Sequence, residues 1–81
     1  MTTTVEQVLE NINNAIAKGM TVRIATAMQY TDVNEKTVAK FQTAGYDLFK
    51  TGNGNLYMRR GKKWEIIQSE AGGNSCKITA Y

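Results

Sequence analysis

Residues Tyr46 to Gln68, YDLFKTGNGNLYMRRGKKWEIIQ, decide how this chain is read. Leu48, Leu56, Met58, Trp64 and Ile66 alternate with polar neighbours, the period of two expected of strands that bury one face. Between these runs lie Thr51-Gly52-Asn53-Gly54 and Arg60-Gly61-Lys62. Glycine reaches positive φ and asparagine bonds to its own backbone, so both segments suit turns. The stretch is expected to form three antiparallel strands.

The hydrophobic pattern also sets an expected register, because a slip of one residue turns every side chain to the other face. Pairing Met58 with Trp64 and Leu56 with Ile66 keeps four apolar side chains together and leaves Arg60, Gly61 and Lys62 as a three-residue loop. At the first turn, Asn53-Gly54 is a strong two-residue hairpin signal, but it would set Phe49 opposite Met58 and Leu48 opposite Arg59. Pairing Leu48 with Leu56 through a longer loop is preferred. Asp47, Tyr57 and Glu65 then line up on the outward face, with Arg59 and Lys63 beside them.

Working outward, Thr4 followed by Gln7 is a capping box, which satisfies backbone donors at a helix start. Val5, Val8, Leu9, Ile12, Ala15 and Ile16 follow at spacings of three and four, one apolar stripe, and Gly19 supplies the stop. Thr21 to Tyr30, TVRIATAMQY, alternates without a break and reads as a strand, with a helix as the alternative. Asp32 with Glu35 is a second cap signature, so a helix is expected from Val33 to Ala44, ended by Gly45. In that helix Val33, Thr37, Val38, Phe41 and Ala44 face inward, and Lys36 and Lys40 face out. Ser69 to Ser75 has the composition of a loop, and Cys76 to Tyr81 reads as a last edge strand or ordered tail.

The expected fold class is α+β, with two helices packed on a three- to five-stranded, mainly antiparallel sheet in the order α-β-α-β-β-β. If Ile24 to Tyr30 were helical, the order would resemble a winged helix-turn-helix domain. Ile24-Ala25, Thr37-Val38, Lys40-Phe41 and Gly45 loosely match its central motif. Against this, Asp32 to Glu35 lengthens the turn beyond the 3–4 residues usual for that motif, and a third strand follows the wing.

The 81 residues are expected to make a single domain over residues 1–81, since a chain this short buries only roughly 60–65 % of its unfolded surface. A content of 42 % hydrophobic and 21 % charged residues fits a soluble globular chain. No apolar run approaches the ~18 residues of a spanning helix, and MTTTVEQ is not a secretory leader, so a cytoplasmic location without membrane contact is expected. Cys76 is the sole cysteine and histidine is absent. An internal disulfide and a cysteine-based zinc site are thereby excluded, and the commonest general base is missing. Neither a metal nor a cofactor is expected, and no enzyme activity.

Charge is uneven. Through Glu35 the chain carries two bases against four acids, and from Lys36 onward eight bases against three acids. Such asymmetry points to a polyanion or an acidic protein surface as partner of the second half. Arg59, Arg60, Lys62 and Lys63 surround Gly61, and four bases in five positions exceed what keeping a sheet edge soluble requires. Each phosphate they neutralise releases counterions, and arginine adds a bidentate fit. Lys50 and Tyr57 are expected to extend that surface, Tyr57 as a stacking plane.

Other motifs carry less. Gly52-Asn53-Gly54 leads into a strand rather than a helix, so it is turn chemistry and not a phosphate loop. Asp47 and Glu65 would stand roughly 9–10 Å apart on the sheet, a spacing that suits an inverting glycosidase pair, but on an open face beside bases. Trp64 reads as a core anchor. The sequence thus points to a non-enzymatic binding module that holds DNA or RNA backbone through a basic hairpin tip. The alternative is a small protein inhibitor that blocks a nucleic-acid-handling protein of the restriction or CRISPR effector type.

Overall fold

A computed structural model describes residues 4–26, 29–43, 46–69 and 76–81. In chain order they form helix α1 (Val5–Ala17) and strands β1 (Val22–Thr26), β2 (Val38–Thr43), β3 (Tyr46–Thr51), β4 (Leu56–Arg60), β5 (Lys63–Gln68) and β6 (Cys76–Ala80). Strands β2, β3, β4 and β5 make one antiparallel sheet in that order, and β1 pairs with β6 in a second. One helix and six strands in two sheets overturn the expected pair of helices on a single sheet, and the winged helix-turn-helix alternative with it.

Helix α1 forms where the capping box places it. Gln7 N donates to Thr4 Oγ1 at 3.2 Å, and Thr4 N to Gln7 Oε1 at 3.0 Å. Gly19, at φ +77°, lets the chain leave the helix in the left-handed region. Thirteen residues are marginal as an isolated helix, so tertiary packing must hold this one. Its buried stripe of Val5, Val8 and Ile12 supplies that packing, at about 1.5–3 kcal/mol for each fully buried aliphatic side chain.

The strand reading of Thr21 to Tyr30 holds for Val22–Thr26, where Val22 and Ile24 are buried and Arg23 and Ala25 exposed. Ala27 and Met28 lie outside the described residues, and Tyr30 makes a lone antiparallel bridge to Trp64. β6 realises the expected last strand, with Ile78 opposite Ile24 and Cys76 opposite Thr26. Reciprocal bonds between Thr21 and Tyr81, 2.6 and 2.9 Å, close the ribbon.

The expected helix from Val33 to Ala44 is replaced by a turn and a strand. Asn34 takes the backbone first: its side chain accepts from Lys36 N at 2.9 Å, and its carbonyl accepts from Thr37 N at 3.1 Å. Such local bonds compete with helix formation. Val38 and Phe41 suit a pleated surface, and β3 offers a partner to all six residues of β2, Phe41 pairing with Leu48. Ala44 and Gly45, the expected helix end and stop, lie outside the described residues.

The three-strand meander of Tyr46 to Gln68 is present, but its registers differ from those expected. Around Gly61 the loop has two residues, with Arg60 opposite Lys63, Arg59 opposite Trp64 and Met58 opposite Glu65. Beyond these, Tyr57 pairs with Ile66 and Leu56 with Gln68, an irregularity that accommodates Ile67 as an extra residue. At the first turn Leu48 faces Met58, between the two registers weighed above. Thr51 N donates to Asn55 O, leaving Gly52, Asn53 and Gly54 as the loop, with Gly54 at φ +89°. A three-residue hairpin loop ends in this left-handed position.

The cause is that both faces of the large sheet are covered. Leu48, Leu56, Met58 and Ile67 pack with α1 and β1, whereas Phe49, Tyr57, Trp64 and Ile66 pack with Val33, Tyr30 and Val38. Alternation fixes register only where one face is apolar and the other wet. The expected outward row of Asp47, Tyr57 and Glu65 therefore does not exist: Tyr57 and Glu65 are both buried, and on opposite faces. Asp47 shares the face of Phe49 and is separated by the sheet from Glu65, which removes the paired-carboxylate geometry. Among the described residues no helix is long and apolar enough to cross a membrane.

Candidate nucleic-acid interface

The two-residue turn Gly61-Lys62 sets the geometry of the basic tip. Gly61 adopts φ +64°, a backbone conformation that other residues rarely take. Lys62 and Lys63 are exposed there, and among the described residues no ion pair involves either of them.

Arg59 and Arg60 leave β4 on opposite faces. Arg59 lies over the rings of Phe49 and Trp64, 5.5 and 5.7 Å from their centroids, and pairs with Glu35. The stack sits on an aromatic platform in which Phe49 and Trp64 meet edge to face at 4.7 Å. Arg60 turns to the other side. Its Nη2 donates to the Ile24 carbonyl, and its Nε lies 3.3 Å from Glu65 Oε2, close enough for charge pairing though off hydrogen-bond geometry.

The remaining expected members lie away from the tip. Lys50 is at the far end of β4's neighbour, opposite Leu56, roughly 13 Å along the strand from Arg60. It pairs with Glu6 of α1 at 3.2 Å. The carboxyl of Glu6 is held below its ordinary range by its backbone hydrogen bond and by Lys50. Tyr57 is buried against Tyr30, edge to face at 5.6 Å, and presents no free ring to solvent. Of the six expected contacts, the structure therefore groups Lys62 and Lys63 at the turn, adds Arg59 on one flank, and uses Arg60, Lys50 and Tyr57 within the fold.

Lys36 and Glu35 join the site. A shallow open depression is lined by Asn34, Glu35, Lys36, Arg59, Lys62 and Trp64. A second one, bounded by Tyr30, Val33, Lys62, Lys63 and Trp64, lies beside it. Lys36 is exposed, and no ion pair among the described residues involves it. Short-range patterns give no signal for this grouping. It arises because the Tyr30 to Trp64 bridge brings the segment after Tyr30 back over the sheet, and the Asn34 turn then presents Lys36.

A better enclosed concavity, about 320 Å³, lies elsewhere between α1, β1, β5 and β6. Val8, Ile12, Val22 and Ile67 line it and, among the described residues, no charged side chain does, so it does not suit phosphate. Among the described residues no three metal-ligating side chains come together. Cys76 Sγ contacts the Ile67 carbonyl at 3.3 Å, and burial pushes its thiol up to about 11.

No protein-family model matches the chain, and neither a curated protein nor a solved structure gives a significant match to it.

Proposed function

We propose that the β4–β5 tip binds the phosphate backbone of a nucleic acid in the cytoplasm, without base readout and without catalysis. The observation that carries this reading is the grouping of Lys62 with Lys36 and Arg59 around one depression, with Lys63 on the adjoining one and Glu35 as the acidic side chain among them. Lysine ammonium groups held at a turn neutralise phosphates by release of counterions, and that gain is independent of sequence. The narrow hairpin can follow a groove or a single strand. Arg60 serves the same end indirectly, by tying the tip to β1.

The test is retention of DNA and of RNA by the full chain across a salt series. Three to four phosphate contacts predict a log–log slope of roughly −2 to −4. Lys62→Ala with Lys63→Ala should abolish retention at low salt while leaving the melting temperature in place, since exposed substitutions change stability by no more than about 0.5 kcal/mol. If the wild-type chain ignores both nucleic acids at low salt, the reading fails. The same lysines then serve an inhibitor that contacts an acidic surface on a nucleic-acid-handling protein.

A further inference from the structure

We infer that Arg59, Lys36 and Lys62 form a binding site for one phosphate group, and that Glu35 occupies this site in the free protein as a displaceable internal anion. The inference rests on the phosphate-binding reading above and adds its point of attachment and its control.

The two partners of the Arg59–Glu35 pair are held very differently. Arg59 is fixed by its stack on Phe49 and Trp64, and its side chain is 29 % exposed. Glu35 is 63 % exposed and comes from the turn that Asn34 organises. The guanidinium is thus set in place with a planar donor edge, whereas the carboxylate on it is free to swing into water. A guanidinium keeps its charge at any working pH and matches a phosphate through two parallel donors.

Lys36 and Lys62 line the same depression, and no ion pair among the described residues involves them. A carboxylate brings one charge to three cations, so the site in its closed form is under-neutralised. A phosphate spreads its charge over more oxygens and can reach the lysines as well as Arg59. Exposed ion pairs are weak, so exchange of one anion for the other opposes binding only mildly.

The probe is inorganic phosphate, exchanged against chloride at constant ionic strength, with the Arg59 Nε–Hε resonance as the readout. Glu35→Gln should titrate at roughly three- to fivefold lower phosphate than wild type. Asp32→Asn, which removes an exposed charge from the same segment, should titrate as wild type does. Dispersed amide spectra establish that each variant is folded. A second arm uses an oligonucleotide lacking terminal phosphates, so that a backbone diester is distinguished from a free phosphate.

If Arg59 does not respond to phosphate, or if Glu35→Gln and Asp32→Asn behave alike, the inference is overturned, even where the oligonucleotide still binds through Lys62 and Lys63. A response of Arg59 to phosphate with no binding of the oligonucleotide instead leaves the phosphate site standing and removes the nucleic-acid reading.

Discussion

Arg60 donates from Nη2 to the carbonyl oxygen of Ile24, so the tip of the large sheet is fastened to the separate two-stranded sheet. The same side chain faces Glu65, which is only 7 % exposed. Arg60→Ala removes both interactions and leaves a buried carboxylate without its counter-charge. Loss of stability of about 3 kcal/mol is expected, since breaking a buried pair by removing one partner costs about 3–5 kcal/mol and Arg60 itself is half exposed. Pairing Arg60→Ala with Glu65→Gln should recover part of that loss. Urea unfolding of the two single variants and the double variant measures it, and strict additivity would show that the two side chains do not interact.

The hairpin glycines should respond with opposite signs. At Gly61 nothing lies within 4 Å of an added Cβ, but φ is +64°, so Gly61→Ala carries a backbone cost of roughly 1 kcal/mol or more. Gly52 has the same open surroundings without a positive φ. There alanine restricts only the unfolded chain and should stabilise by about 0.4–1 kcal/mol. Thermal melts of the two variants decide the matter, and equal destabilisation of both would contradict the turn geometry.

Trp64 joins three features at one residue: the bridge to Tyr30, the edge-to-face contact with Phe49 and the stack under Arg59. Trp64→Ala should cost about 3–5 kcal/mol, a large part of the stability of a small domain. Arg59→Lys keeps the charge but loses the planar stack, and about 0.5–1 kcal/mol is expected. Near-ultraviolet circular dichroism with denaturant midpoints reads both. Retention of the tyrosine part of the signal in Trp64→Phe would show that the ring platform does not depend on the indole.

Helix α1 is legible in the sequence because its signals are all local: Thr4 and Gln7 at the start, one stripe of apolar side chains, Gly19 at the end. The strand nature of Tyr46 to Gln68 is legible for the same reason. Its register is not, because Phe49 and Tyr57, which the alternation assigns to water, are buried, and Trp64 and Ile66 share their face instead of that of Leu56 and Met58. What covers the face of Phe49 and Tyr57 is Val33, with Tyr30 and Val38, from a segment whose cap-like Asp32 and Glu35 suggest a helix. Asn34 and the pairing of Phe41 with Leu48 decide against the helix, and the second of these is a tertiary contact. The candidate site divides in the same way. Lys62 and Lys63 follow from the turn, whereas Lys36 and Glu35 enter only through the folding back of the chain onto Trp64.

Cys76 gives a pH test of the contact between the two sheets. Its thiol lies against the Ile67 carbonyl, and burial raises its pKa from 9.0 to about 11. In the unfolded chain the thiol ionises near 9, while in the folded chain it stays protonated until about 11. A raised folded value means that the associated stability is fully present below pH 9 and is lost as pH climbs through this window. Unfolding midpoints should therefore fall between pH 9 and 11 in wild type and fall less in Cys76→Ala. Alkylation supplies an independent measure, because only the thiolate attacks. At pH 8 iodoacetamide should label the folded chain far more slowly than the unfolded one. Equal rates would show that β6 does not shield this sulfur against β5.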